Sequence, residues 1–339
     1  MSRRGQKPTA LTLASSESQR PKILLSRRWP AAVEAHLREH YDLTVDADDR
    51  PLDRNALCRA MTTFDAICPT VSDRIDAEII ATPNSTVRLL ANYGVGVDHI
   101  DLNAARAAGI AVTNTPDVLT DATAELAILL MLMASRRASE GERELRSGQW
   151  HGWRPTHLMG QGLAGKHLGL VGFGRIARAT AQRAQALGLR VSCHIRRLVT
   201  AEDAVALGIT CYTSLEELVR DVDILSLHCP GGAATHHLVN AALLARMKPS
   251  AILINTARGT VVDETALAAA LRANRIAAAG LDVYEREPKV TPALLDLPNV
   301  VLLPHLGSAT VETRTAMGMR VATNLAHFFG GKEPPDRVA

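Results

Sequence analysis

The stretch from Lys166 to Arg197 constrains the fold more than any other part of the chain. It opens on the apolar run Leu168–Val171, short and continuous as a strand buried on both faces should be. Gly172, Gly174 and Ala177 follow in a G-x-G-x-x-A pattern, and helical periodicity then runs to Leu187. A second strand pattern covers Leu189–His194. The first glycine permits a tight turn, the second lets the backbone approach a pyrophosphate, and the small third residue lets the helix pack close to the strand. The helix N-terminus offers unpaired N–H groups and the positive end of its dipole to phosphates. A glycine pattern alone is compatible with an ordinary turn, but between two strands and before a helix it predicts dinucleotide binding.

The end of that second strand bears on which dinucleotide. An Asp or Glu there would accept from the ribose hydroxyls of NAD. This chain has Ile195, Arg196 and Arg197, and no carboxylate between Val191 and Val199. Two guanidinium groups suit a 2′-phosphate, which they can grip through paired, charge-assisted hydrogen bonds. The expected cofactor is therefore NADPH, with NADH also possible.

A length of 339 residues is long for one domain and comfortable for two, and a hydrophobic fraction of 47% supports a large core. The net charge is only +3 and the basic residues are scattered, which argues against a nucleic-acid footprint. Cys58, Cys68, Cys193, Cys211 and Cys229 show no C-x-x-C spacing and read as buried thiols of a reducing, cytoplasmic compartment, with no metal site. No apolar run reaches the length of a membrane span. Residues 1–20 are polar and basic and are expected to form a disordered extension.

From Lys22 onward, strand and helix patterns alternate. Strands are expected at Lys22–Ser26, Asp42–Val45, Phe64–Pro69, Val87–Tyr93 and Ile110–Asn114. Between them lie helices at Trp29–His40, Asp53–Met61, Asp73–Ile80 and Leu102–Ala108. Alternation of this kind implies parallel sheets with helices on both faces. This first lobe has no phosphate-binding glycine pattern and reads as a substrate lobe. Thr115-Pro116 interrupts the pattern and marks a hinge, because proline disfavours helix before it. The apolar helix Ala122–Arg136 and the polar, arginine-rich stretch Ala138–Arg154 follow. Further strands are expected at 167–171, 189–194, 222–228, 250–255, 277–283 and 299–303, then a last helix from about Ala309 to Phe329.

Three motifs stand just past strand ends: Asn255-Thr-Ala-Arg258-Gly259, Gly280-Leu-Asp282-Val-Tyr-Glu-Arg-Glu287-Pro288 and Pro304-His305-Leu-Gly-Ser-Ala-Thr310. In an open α/β sheet that edge is where ligands bind. Singly, each of Arg258, Glu287 and His305 could be structural, but Arg, Glu and His at three strand ends of one dinucleotide sheet point to a reactive site. An imidazole titrates near neutrality and can give a proton to a reacting oxygen. A carboxylate beside it orients the ring and favours its protonated form. A planar guanidinium matches two oxygens of the substrate at once.

With these motifs the chain resembles the D-isomer-specific 2-hydroxyacid dehydrogenase family from about Lys22 to Val338. Within it, Ser26-Arg-Arg-Trp-Pro30, Asp48-Asp49-Arg50-Pro51-Leu52, Asp73-Arg-Ile-Asp76 and Trp150-His-Gly-Trp153-Arg-Pro155 are most similar to the glyoxylate/hydroxypyruvate reductases. The resemblance implies two Rossmann-like or flavodoxin-like parallel-sheet domains with the active-site cleft between them. Residues 21–116 plus 307–339 would form the substrate domain, and 117–306 the dinucleotide domain. It implies Arg258, Glu287 and His305 as the catalytic residues, and Asp282 as the partner of the nicotinamide carboxamide. The implied cofactor set adds Thr123, Gly172, Phe173, Gly174, Arg175, Ile176, Arg196, Arg197, Cys229, Pro230, Thr235, Thr256, Ala257 and Gly307. The implied substrate set is Val71, then Val95 and Gly96 in a substrate-carboxylate loop over Asn92-Tyr-Gly-Val95-Gly96-Val-Asp98, with Arg258 and His305. Trp153 would reach the site of a partner in a homodimer.

The chain departs from the family pattern at Ala177, in place of a third glycine, and at Pro230-Gly-Gly-Ala-Ala-Thr235, where longer apolar side chains are more usual. The expected reaction is reduction of glyoxylate or hydroxypyruvate to glycolate or D-glycerate. The alternatives are a phosphoglycerate-type or hydroxyphenylpyruvate-type dehydrogenase and a nucleotide-sensing binding protein like the family's co-repressor relatives.

Overall fold

The structure, a computed structural model, describes residues 20–46, 48–195 and 206–339. Arg196, Arg197 and the expected extension up to residue 19 lie outside the described residues.

β1 (Lys22–Leu25), β2 (Asp42–Val45), β3 (Ala66–Cys68), β4 (Leu89–Ala91) and β5 (Ala111–Thr113) form a parallel sheet in the order β2-β1-β3-β4-β5. The strands are three or four residues long, and all but the edge strand β2, which alternates and has no buried residue, are buried almost throughout, so their apolar runs are short and lack alternation. α1 (Ala31–His40), α2 (Arg54–Met61), α3 (Ala77–Ile80) and α4 (Leu102–Ala107) connect them. Asp53 caps α2 as its sequence predicts, accepting from the Ala56 N–H at 2.7 Å. The expected start of α3 at Asp73 is wrong: Asp76 caps this helix. Asp73 is fully buried and accepts instead from the Thr70 N–H at 2.8 Å and from the Ser26 hydroxyl. Either carboxylate could begin a helix, and the loop after β3 captures the first one.

The second sheet is also parallel. It contains β6 (His167–Val171), β7 (Arg190–His194), β8 (Thr210–Tyr212), β9 (Ile224–Leu227), β10 (Ile252–Asn255), β11 (Ala278–Leu281) and β12 (Val300–Leu302). The order is β12-β11-β10-β9-β6-β7-β8. The sequence pattern does not show β8 because it is a three-residue edge strand that opens on an exposed threonine and has no buried position. Strand order reverses at β6, whose neighbours are β7 and β9. Helices leave that point toward opposite faces and open a crevice at the carboxyl ends of the strands.

The chain passes between the sheets twice. α5 (Thr120–Ser135) carries it across and packs on α7 (Arg175–Ala186), β10 and β11 through Ala124, Ala127, Leu130 and Met131. A last helix, α12 (Val311–Phe329), carries it back to pack on α1 and β4 through Val321 and Leu325. The C-terminal tail then runs along β5, with the Val338 N–H donating to Val112 O at 2.8 Å.

Of the five cysteines only Cys68 and Cys193 are buried; Cys58, Cys211 and Cys229 are half-buried. The expectation of uniformly buried thiols fails because Cys58 lies on a helix flank and Cys211 on the edge strand. Among the described residues, no helix is long and apolar enough to cross a membrane.

Candidate active site

The glycine turn after β6 lies at the reversal point. Gly172 has φ +92°, and a Cβ there would lie 3.0 Å from the His228 carbonyl oxygen, so only glycine fits between the ends of β7 and β9. Gly174 begins α7; no side chain caps this helix, and a Cβ on Gly174 would meet nothing within 4 Å. Open space at an uncapped helix N-terminus is what a pyrophosphate requires.

Two neighbours in the expected cofactor set are engaged elsewhere. The Phe173 ring is buried in the core with the Arg178 guanidinium 5.4 Å from its centroid, which leaves its backbone to face the turn. Arg175 is ion-paired with Asp117 at 2.6 Å. Thr235 is buried and donates to Pro230 O at 2.7 Å, closing the loop after β9 from within.

A cleft of about 1110 Å³ separates the carboxyl edges of the two sheets. Val71, Val95 and Gly96 line it from the first lobe. From the second lobe come Ile176, Cys229, Pro230, Thr256, Ala257 and Asp282, together with Arg258, Glu287 and His305. Thr123 and Gly307 lie where the two passages between lobes meet, the threonine hydroxyl donating to Gly307 O at 3.0 Å. Trp153 is 82% exposed and lines no part of its own chain's cleft.

The end of β10 aims Arg258. The Asn255 amide donates to Arg258 O at 2.9 Å and accepts from the Ala257 N–H at 3.0 Å, which fixes the turn. The guanidinium reaches the opposite lobe, where Nε donates to Asp98 Oδ1 at 2.9 Å. Nη1 donates to Ala257 O at 2.7 Å. A Cβ on Gly96 would fall 1.6 Å from Arg258 Nη2, so this glycine admits the arginine. Burial pushes the Asp98 carboxyl up, but the Arg258 charge and hydrogen bond outweigh it and hold it below the usual carboxylate range.

The loop after β4 is held by side-chain amides. Asn92 Nδ2 donates to Gly94 O at 2.9 Å and to Gly96 O at 3.0 Å, while Asn114 donates to Val95 O at 2.8 Å. Burial lowers the His99 imidazole to about 4, so it is neutral when it meets Asn92 Oδ1 at 3.0 Å. With the loop carbonyls taken, the N–H groups of Val95 and Gly96 have no acceptor among the described residues. Two free N–H groups beside a guanidinium can bind a carboxylate.

His305 follows β12, and its N–H donates to Asp282 O at 2.9 Å. Its φ is +55°, an uncommon conformation for a side-chain-bearing residue. Asp282 holds the turn in that shape: its two oxygens accept from the Leu306 and Gly307 N–H groups at 2.7 and 2.8 Å. Burial raises the Asp282 carboxyl to about 6 against the pull of those two N–H groups and His305. His305 Nδ1 bonds Glu287 Oε2 at 2.7 Å, which leaves Nε2 for the cleft. The other Glu287 oxygen accepts from the Tyr284 N–H at 3.0 Å. Burial pushes the Glu287 carboxyl up, yet the bond and charge of His305 bring it below its ordinary value.

The structure therefore brings Arg258, Glu287, His305, Val95 and Gly96 together, as the sequence predicts. The family resemblance puts the substrate-carboxylate loop on Asn92–Asp98, but the positioning roles of Asn92, Asp98, Asn114 and Asn255 are not predicted from the sequence. The glycines of the Asn92–Asp98 loop mark it as functional, but nothing local pairs Asp98 with an arginine 160 positions away.

Residues 128–307 match the family described as D-isomer specific 2-hydroxyacid dehydrogenase, NAD binding domain. A glyoxylate reductase of Thermococcus kodakarensis is 43% identical over 325 residues, covering 94% of this chain and 96% of that one. Among solved structures, a glyoxylate reductase from Paecilomyes thermophila superposes with a TM-score of 0.82 at 34% identity, over 94% of this chain and 98% of its own. An NADPH-dependent glyoxylate/hydroxypyruvate reductase from Sinorhizobium meliloti, solved with NADP and malonate, gives 0.84 at 38% identity, over 95% and 97%. On this fold, cleft and set of relatives, the chain belongs to the D-isomer-specific 2-hydroxyacid dehydrogenase family and is an NAD(P)-dependent oxidoreductase.

Proposed function

We propose that this protein reduces a small 2-keto acid, glyoxylate or hydroxypyruvate, to the corresponding 2-hydroxy acid, with NADPH as the preferred reductant. The observation that carries the proposal is the placement of the His305–Glu287 pair and Arg258 across one cleft from the free N–H groups of Val95 and Gly96. When bound, a nicotinamide cofactor supplies the hydride. The open turn at Gly172 and Gly174 would hold its pyrophosphate. Thr123, Ile176, Cys229, Pro230, Thr256, Ala257 and Gly307 would border it in the cleft. Asp282 keeps acceptor capacity beyond its two backbone bonds and would take the carboxamide.

Val95, Gly96 and Arg258 bind the substrate carboxylate, and Val71 walls its remaining side. Arg258 also polarises the keto oxygen, and His305 Nε2 gives that oxygen its proton. Glu287 keeps the imidazole oriented and favours its charged form. Closure of the two lobes removes water from the space between them.

Cofactor preference rests on Arg196 and Arg197. Each charge-assisted contact to a 2′-phosphate contributes about 1.5–3 kcal/mol. Two imperfectly additive contacts give a preference on the order of a hundredfold in kcat/KM, and it weakens with salt. NADH leaves both guanidinium groups in water at little cost. Replacement of both residues, Arg196→Asp with Arg197→Ala, should reverse the order chiefly by loss of NADPH. Steady-state rates with glyoxylate, hydroxypyruvate and phenylpyruvate, each with NADPH and NADH, test the whole reading. Equal or better use of NADH at low salt would reduce the two arginines to a solvated turn, and inactivity toward all three acids would remove the reading itself.

A homodimer is the second element of the proposal. α6 (Ala138–Arg146) and the segment after it carry Leu145, Trp150, Trp153 and Met159, which are 61%, 49%, 82% and 65% exposed. Apolar side chains clustered at such exposure mark a surface that another protein covers. The partner is a second copy of this chain, and Trp153 then lies near its cleft. Light scattering should give twice the monomer mass; a monomer at micromolar concentration would exclude the arrangement.

A further inference from the structure

The cleft is larger than a substrate as small as glyoxylate requires, and Trp29, Tyr93 and Met317 line it together with the catalytic groups. The Trp29 and Tyr93 rings lie 4.5 Å apart, and the Tyr93 hydroxyl donates to Arg314 O at 2.6 Å, which binds the first turns of α12 to this wall. Burial raises the Tyr93 phenol to about 12, and the charge of Arg314 works against that rise, as expected of a guanidinium close by.

The cleft arginines differ in their partners. Arg27 Nη1 donates to Asp49 O at 2.6 Å, with Nε 4.0 Å from Asp49 Oδ1. Arg28 pairs with Glu34 at 3.0 Å and Arg258 with Asp98 at 2.9 Å. Among the described residues, Arg314 has no carboxylate partner, although it lines the same cleft. An apolar wall ending in an unpaired guanidinium matches a short carbon chain that ends in an anion.

We propose that this end of the cleft is a subsite for the distal carboxylate of a 2-keto dicarboxylic acid, with Arg314 as the residue that selects it. The inference rests on the 2-keto acid reading above and adds a substrate class to it. A substrate of this kind lies with its 2-keto carboxylate on Val95, Gly96 and Arg258, its methylene carbons along Trp29 and Tyr93, and its far carboxylate at Arg314.

The test compares 2-oxoglutarate with 2-oxopentanoate, which share a five-carbon chain and differ in the terminal carboxylate or methyl. In the parent enzyme kcat/KM for the diacid should exceed that for the monoacid by about tenfold to a hundredfold, as for one charge-assisted contact. The ratio should decline with added salt. Arg314→Met should bring it to about one or below, and Arg314→Lys should retain part of it, since lysine keeps the charge without the planar fork. A parent ratio at or below one, or an unchanged ratio in Arg314→Met, would overturn the proposal. If the methionine variant does not fold, the parent ratio, its salt dependence and the lysine variant decide the matter. Glyoxylate turnover without a diacid preference removes this inference alone; absence of turnover with every 2-keto acid removes the proposed function and this inference together.

Discussion

Replacement of His305 by alanine should lower turnover by about two to four orders of magnitude while leaving NADPH binding nearly intact, the range expected when a general acid is lost. The expectation follows from the 2.7 Å bond between His305 Nδ1 and Glu287, which directs the other ring nitrogen into the cleft. Asp282 and the Tyr284 N–H hold the two partners independently, so removal of the ring leaves the surrounding turn anchored. Fluorescence titration with NADPH separates cofactor binding from chemistry. Near-parental turnover at pH 7 in this variant would show that another group supplies the proton.

The second large effect concerns Arg258. Arg258→Lys should reduce kcat/KM by about two orders of magnitude or more, since two charge-assisted contacts of about 1.5–3 kcal/mol are weakened together. Lysine preserves the charge but cannot reach Asp98 and Ala257 O while presenting a planar pair of donors to a carboxylate. A surface control, Arg220→Lys, should leave kinetics unchanged, because Arg220 is exposed on a helix away from the cleft lining. Matching kinetics in the two variants would assign Arg258 a structural role only.

Much of this site is legible in the sequence because parallel α/β sheets place function at strand ends, and strand ends follow apolar runs. Leu168–Val171 locates the glycine turn, and the runs before Asn255, Asp282 and Pro304 locate Arg258, Glu287 and His305. Partners contributed by the other lobe leave no such mark. Asp98 reads as one more polar loop residue until the fold brings it to Arg258. Asn92 is fully buried and its amide ties two loop carbonyls, Gly94 O beside the Thr115 N–H and Gly96 O, a role that depends on loop shape rather than residue pattern. Asp73 shows the converse, a helix-start residue recruited by a loop from β3. Trp29 fits the periodicity of α1, yet α1 begins only at Ala31, and the ring packs tilted against Tyr93 beside the cleft.

The two passages between the lobes have a mechanical consequence. Bodies joined at two neighbouring points rotate most easily about the line through them, and atoms near that line move least. His305 lies at the second passage, and the Thr123–Gly307 bond ties that passage to the first. The acid and its carboxylate therefore stay assembled at every opening angle. The Arg258–Asp98 pair spans the gap and separates as the angle widens. For the proposed reaction, the proton donor would then be preassembled, whereas the anion clamp would need the shut form. A carbonyl compound without a carboxylate would not replace the lost pair or hold the lobes together. Ordinary aldehydes and ketones should therefore be refused by the geometry of closing rather than by the chemistry of the acid.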